Sequence, residues 1–142
     1  MTPDRRRLAR LKRLERLRGV AKDQAALAAA EAEETLARLG TLGSRTRALA
    51  DSYAGRRDLG DGLALAQVQR FVAGLAGIDA ATRADASRAA LHADDRQRAL
   101  TEAERRRAVV EDRRIAAAQL LGRHAIQPAL TARRASGTGL EQ

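Results

Sequence analysis

The stretch that interrupts an otherwise helical sequence reads AGRRDLGDG and runs from Ala54 to Gly62. It holds three glycines and two aspartates in nine residues, which is typical of a turn or loop. Asp61 is placed to cap a following helix, because its carboxylate can accept hydrogen bonds from the free N–H groups of a first helical turn. The stretch therefore predicts a turn at residues 55–62 between two helices.

Apolar or small residues recur on both sides of this turn at intervals of three and four, the spacing of a coiled-coil seam. Thr2 and Pro3 mark a helix start, since threonine suits the cap and proline the first helical position. We expect helices over residues 4–54 and 63–127, with Pro128 closing the second, and a disordered tail over residues 131–142. The first predicted seam comprises Leu14, Leu17, Ala21, Ala25, Ala28, Ala32, Leu36, Leu39, Leu42, Thr46, Leu49 and Tyr53. The second comprises Val68, Phe71, Leu75, Ile78, Thr82, Ala86, Ala89, Ala93, Arg96, Leu100, Ala103, Arg107, Val110, Arg114, Ala117 and Leu121.

The composition favours helices over strands. Apolar residues make up 44% of the chain and aromatic residues only 1%, so most of the apolar share is alanine and leucine, which are strong helix formers. A lone helix with one narrow apolar stripe leaves that stripe in water, whereas two antiparallel helices cover each other. The predicted fold is therefore all-α: a long two-helix antiparallel coiled-coil hairpin that forms a single domain over residues 1–130.

A fold-back near residue 58 sets which residues of the two predicted helices face each other. Leu49 is expected opposite Val68, and Leu14 opposite Ala103. The second helix outlasts the first under this pairing, which leaves an unpaired overhang near residues 115–126. Alanine layers fix such a pairing weakly, because each alanine buries little area.

Arginine is concentrated at the two ends of the sequence, and the formal net charge is +9. Under the predicted pairing, the arginines of the first 18 residues lie beside those late in the second helix. An excess of positive charge suits acidic partners, which include nucleic acid, anionic lipid and acidic protein surfaces. A solvated end without a partner and a nucleic-acid site are the alternatives to an acidic protein partner, although the aromatic residues that stack on bases are missing.

Residues suited to catalysis or to binding a metal or cofactor are scarce. The chain has no cysteine and two histidines, His92 and His124, which lie far apart in the sequence. The glycine-containing turn lacks the lysine of a phosphate-binding loop. We therefore expect no enzyme activity, no catalytic residue, no cofactor and no metal site. No apolar run approaches the roughly 18 residues of a membrane span.

Phe71 is the only phenylalanine in the chain and lies early in the second predicted helix. One interpretation places its ring in the seam opposite Thr46, as its heptad spacing suggests. The other is that a large ring near the tip of a hairpin forms a docking point for a partner.

The layout resembles FliJ, the flagellar export protein, and the related stalk proteins of type III secretion. The resemblance covers roughly residues 5–125. It is most specific at Leu59-Gly60-Asp61-Gly62-Leu63 and at the following Gln69-Arg70-Phe71-Val72 segment, with Leu75 and Ile78 after it. Family members carry a similar turn of five residues, in the order apolar, glycine, polar, glycine, apolar.

The resemblance implies a non-catalytic stalk or adaptor of the protein export apparatus, located in the cytoplasm at the inner face of the membrane. The end that bears both termini would insert into the hexameric export ATPase ring and stimulate it. The central segment would contact the cytoplasmic domain of the export-gate membrane protein, and export chaperones would also bind. A nucleic-acid-binding hairpin and a self-associating coiled-coil scaffold remain as alternatives.

Two groups of residues carry these implied contacts. Contact with the gate falls on Phe71, Leu75, Ile78 and Thr82. Contact with the ATPase ring falls on Arg5, Arg6, Arg7, Arg10, Arg13, Arg105, Arg106 and Arg113.

Overall fold

The computed structural model describes residues 2–56 and 60–136, and these residues form two long α-helices. Helix α1 spans Pro3–Ala54 and helix α2 spans Gly62–Ser136, with no strand among the described residues. The two helices pack against each other, so the predicted all-α helical hairpin is confirmed. Residues 57–59 of the predicted turn and residues 137–142 of the predicted tail lie outside the described residues.

Side-chain caps begin both helices where the sequence predicts them. The carboxylate of Asp61 accepts a hydrogen bond of 2.7 Å from the N–H of Ala64, and the hydroxyl of Thr2 accepts a longer one of 3.4 Å from the N–H of Arg5. Each bond satisfies one of the N–H groups that the first turn leaves unpaired.

The second helix does not end at Pro128, and the predicted end at residue 127 is wrong. Helix α2 continues through this proline to Ser136. The ring removes only one hydrogen bond from the helix, and the alanines and leucine around it are strong helix formers. The hydroxyl of Thr131 also donates to the carbonyl oxygens of Gln127 and Pro128, at 3.1 and 2.9 Å.

The chain divides into two compact units, and the single domain over residues 1–130 stays a prediction. Unit 1 comprises Met1–Gln24 and Leu100–Gln142, and unit 2 comprises Ala25–Ala99. Each unit contains a segment of α1 and a segment of α2.

In unit 2, small residues and one leucine form the buried layer between the helices. Ala29, Ala32, Gly43 and Thr46 of α1 are buried, as are Leu75, Thr82 and Ala93 of α2. The hydroxyl of Thr46 donates to the carbonyl oxygen of Leu42 at 2.8 Å. This bond allows a polar side chain to be buried without an unpaired donor.

The predicted seam is rotated by one position over part of unit 2. Leu42 and Leu49 were predicted in the seam, yet both are exposed, and the neighbouring Gly43 is buried instead. Phe71 and Ile78 are exposed in the same way. Smaller side chains face the partner helix and the larger ones flank it.

The predicted pairing of the helices is also displaced. The predicted pairing of Leu49 with Val68 would place Gly43 opposite Gly74. Gly43 instead faces Thr82, eight residues further along α2. Tyr53 contacts Phe71 close to the end of α1, so the first two turns of α2 lie beyond that end. The predicted pairing followed from a fold-back centred near residue 58. The contact between the rings of Tyr53 and Phe71 and the buried layer of small residues favour the observed pairing.

The packed face of unit 1 carries charge. Glu15, Arg18 and Lys22 are half-buried, whereas Leu17, which was predicted in the seam, is 67% exposed. Gly19 faces Arg107. Leu121 is the last half-buried residue of α2 among those whose burial is described, and residues 122–134 are exposed, so the overhang begins later than the predicted residue 115.

Candidate partner-binding surfaces

The net charge of the chain resides in unit 1. Its residues include 17 Lys and Arg against 8 Asp and Glu, a formal charge of +9. Unit 2 has 10 of each sign and is formally neutral. The units therefore offer surfaces of different chemistry, one strongly cationic and one without net charge.

The arginines predicted to meet the ATPase ring all lie in unit 1, and all are exposed. Arg106 pairs with Glu102 at 3.0 Å. We call the exposed set the basic surface: it comprises Arg5, Arg6, Arg7, Arg10, Arg13, Arg105, Arg106 and Arg113.

The two arginine groups still meet, since Arg114 contacts Glu15, but they are offset along the helices from the predicted pairing. The predicted pairing places Arg107 beside Arg10, but its guanidinium lies against Gly19, nine residues further along α1. At 1.5 Å per residue, this offset is about 13 Å. The basic surface is therefore longer and less dense in charge than the sequence suggested.

One ion pair links the two helices inside unit 1. Nε of Arg114 lies 2.5 Å from Oε2 of Glu15, and both side chains are largely shielded from solvent. The N–H does not point at a hydrogen-bond acceptor, so we attribute the contact to charge attraction. Arg114 belongs to the predicted second seam, where a charged side chain is costly to bury, and Glu15 compensates its charge.

Unit 2 exposes four large apolar side chains on one side, which we call the apolar face: Leu42, Leu49, Phe71 and Ile78. Each immediately precedes a residue that is buried or half-buried between the helices, namely Gly43, Ala50, Val72 and Asp79. In an antiparallel helix pair, positions that precede equivalent seam residues flank the seam on the same side. The apolar face thus combines residues of both helices.

The residues predicted to contact the gate separate into two pairs. Phe71 and Ile78 are on the apolar face, with 44% and 50% of their surface exposed. Leu75 and Thr82 are buried between the helices, so they cannot touch a partner while the helices remain packed. Leu42 and Leu49 complete the face, and sequence reasoning missed them because it assigned both to the seam.

An aromatic cluster lies where α1 ends. The rings of Tyr53 and Phe71 are 4.8 Å apart in an edge-to-face arrangement, and the guanidinium of Arg56 lies 4.2 Å from the centre of the tyrosine ring. Such contacts add about 0.5–1.5 kcal/mol beyond simple burial. Phe71 therefore packs against Tyr53 while 44% of its surface is exposed, and its role as a docking point stays a prediction.

No protein-family model, curated protein or solved structure matches the chain. Among the described residues, no helix is long and apolar enough to span a membrane. The same residues contain no group of three or more acidic, histidine or cysteine side chains that could hold a metal ion.

Proposed function

We propose that the chain is a non-catalytic stalk or adaptor of a type III protein export apparatus, of the flagellar or the virulence kind. It binds and stimulates the export ATPase ring through unit 1, and it contacts the export gate through unit 2. The observation that carries the proposal is the difference in charge between the two units, because the whole net charge of +9 belongs to unit 1 and unit 2 is formally neutral.

Unit 1 suits an acidic protein partner. The arginines of its basic surface are exposed, and guanidinium groups bind carboxylates in a bidentate geometry. The contact with the ring is therefore expected to form quickly at low salt and to weaken as salt screens the charges.

Unit 2 suits a partner with an apolar pocket. The apolar face holds a phenylalanine whose ring is fixed by Tyr53, and a rigid aromatic side chain is a common anchor of protein interfaces. Leu75 and Thr82 lie beneath this face and hold the helix that presents it. In this role the protein works in the cytoplasm, at the inner face of the membrane, and export chaperones are further partners.

The ring contact is tested by measuring ATP turnover and hexamer formation of the purified cognate ATPase with increasing amounts of the protein. Replacing Arg5–Arg7 by glutamate should raise the concentration that gives half-maximal stimulation by at least about tenfold, since each cation at an interface contributes up to about 1 kcal/mol to binding. The matched control replaces Arg45, Arg70 and Arg98 of unit 2, which changes the total charge by the same amount. Equal losses in both variants, or no stimulation by the native chain, would contradict the proposal.

The gate contact is tested with the purified cytoplasmic domain of the gate protein by calorimetry, and with export in cells. Phe71→Ala should weaken binding at least about tenfold, as loss of an aromatic anchor does, and it should leave ATPase stimulation intact. Leu91→Ala is the control, because this leucine is 67% exposed and lies outside the apolar face. If both substitutions have the same effect, the apolar face is not the contact.

A nucleic-acid-binding hairpin is the second candidate, and the exposed arginines of unit 1 are the observation that favours it. Such a protein would bind unrelated DNA and RNA tightly. The logarithm of its affinity would fall steeply and linearly with the logarithm of the salt concentration. Aromatic residues that could stack on bases are absent from the basic surface, which favours the protein partner.

A further inference from the structure

A groove between α1 and α2 of unit 2 is not used by either proposed contact. Its volume is 530 Å³, and its floor includes Ala28, Ala32 and Ala89. Because an alanine side chain ends at Cβ, the two backbones leave room above the floor. Side chains from a third helix can enter such a space between two helical ridges.

Cations line the α2 edge of this groove. Arg88, His92 and Arg96 are spaced four residues apart and therefore lie in one row along the helix. Arg88 pairs with Asp85, whereas Arg96 is exposed and forms no ion pair with a described residue. The groove lining contains one carboxylate, that of Glu31, against two arginines. Because Asp85 compensates Arg88, Arg96 is the cation left for a partner.

The groove and the apolar face lie on the same side of unit 2. Thr35 lines the groove, and Leu42 and Leu49 follow it on α1 at successive intervals of seven residues. His92 lies two such intervals after Ile78 on α2. Residues at intervals of seven stay on one side of a coiled-coil helix, so an elongated partner can use both surfaces. From Ala28 to Leu49, this side extends for about 32 Å.

We propose that the groove is a docking site for an amphipathic helix of another protein, one that carries acidic residues along one flank. Its small apolar side chains, at i, i+4 and i+7, would pack on the alanine floor. Its carboxylates would meet Arg96, the cation of that edge that Asp85 leaves uncompensated. This inference does not depend on the export apparatus, because it rests on a different surface and on a different partner chemistry.

A helix fits this groove better than the other candidate occupants. The groove is formed by two helices whose backbone groups are already hydrogen-bonded, so it offers no edge to an extended strand. A second copy of the chain would present the same excess of cations, with one glutamate against two arginines in each groove. A heterologous acidic helix compensates these charges, and it also fills the space.

The probe is a synthetic 21-residue helical peptide with alanine and leucine on one side and glutamates along one flank, together with a twin in which lysines replace the glutamates. The chain has no cysteine, so single cysteines can carry an environment-sensitive fluorophore. One label is placed at Thr35→Cys in the groove, and the control label at Gly40→Cys on the opposite side of α1, where the added side chain meets open space.

The acidic peptide should shift the emission of the label at position 35 and leave that at position 40 unchanged, while the lysine twin shifts neither. Arg96→Glu should weaken binding by at least about fivefold, the effect of about 1 kcal/mol at one interface charge. The same substitution at Arg98, two residues away and 81% exposed, should leave binding unchanged. Ala28→Leu fills the groove and should abolish binding with the helical circular dichroism preserved.

Three results would overturn the proposal. Equal responses at both labels, or equal losses in Arg96→Glu and Arg98→Glu, would mean that the peptide is attracted by charge without a defined site. Binding that survives Ala28→Leu would mean that the groove is not occupied. Dimerisation of the free protein in light scattering, with the label at position 35 already shielded, would make a second copy the occupant.

Discussion

The packing of unit 2 predicts losses of stability of very different size for two apolar residues that are one turn apart on α2. Leu75 is 7% exposed and belongs to the buried layer, whereas Ile78 is 50% exposed and belongs to the apolar face. The predicted seam treated both residues as core. Replacing each by alanine therefore tests which side of α2 faces α1.

The structure sets the size of the two effects. Leucine-to-alanine changes in a core cost about 2–5 kcal/mol, and Leu75 belongs to the low end, about 2 kcal/mol, because a two-helix layer can close around a small void. Full burial of an isoleucine contributes about 1.5–3 kcal/mol, so half-exposed Ile78 contributes about 1 kcal/mol. Alanine recovers some of that loss through its higher helix propensity, by about 0.4 kcal/mol. The expected costs are about 2 and about 0.5 kcal/mol.

Urea unfolding provides the assay. The chain has a single tyrosine, Tyr53, and this residue belongs to unit 2, so its fluorescence reports on that unit while circular dichroism reports on all helices. Leu75→Ala should lower the urea midpoint at least about three times as much as Ile78→Ala, with the slope unchanged. Equal losses, or a larger loss for Ile78→Ala, would refute the observed packing and restore the seam that spacing alone predicts.

Three further experiments test other parts of the structure. Gly43→Ala should raise the free energy of unfolding by about 0.5–1 kcal/mol, because the added Cβ would lie 3.8 Å from Thr82, an ordinary contact; destabilisation in thermal unfolding would contradict this spacing. A double-mutant cycle of Glu15→Gln and Arg114→Gln should give a coupling of about 1 kcal/mol in urea unfolding, intermediate between exposed and buried pairs, and a coupling near zero would mean that the pair does not form. Pro128→Ala should slow amide hydrogen exchange around residue 128 by restoring one helical hydrogen bond, with little effect on global stability because this segment is exposed; a large change in global stability would show that the segment is packed.

Local signals predicted the helices and their beginnings. Asp61 has the side chain and position of a cap, and the structure shows its hydrogen bond to Ala64. Alternation of three and four residues correctly predicted two helices that pack on each other. The predicted end of the second helix before Pro128 was wrong because a proline weakens a helix without ending it when strong helix formers continue on both sides.

The orientation and pairing of the helices could not be derived from spacing. A seam through Leu42, Thr46 and Leu49 and one through Gly43, Thr46 and Ala50 both proceed in steps of three and four. The sequence alone favours the leucines because burying them removes more apolar area from water. The structure instead brings small residues together and leaves the leucines beside them. A hydrophobicity rule applied to one helix cannot detect this, since the outcome depends on which residue of α2 lies opposite.

The charges between the helices of unit 1 link its own packing to the binding of a partner. Glu15, Arg18 and Lys22 are half-buried, so burial of apolar surface stabilises this unit less than it would a seam of leucines. Repulsion among the positive side chains of unit 1, whose net charge is +9, also opposes the packing. An acidic partner that neutralises these charges stabilises the packed helices as it binds, because any ligand of the folded form does so. Salt then has opposite effects on the two processes: it weakens the attraction of the partner, and it relieves the repulsion in the free protein. Unit 1 is therefore expected to be most stable alone at high salt and to bind most tightly at low salt.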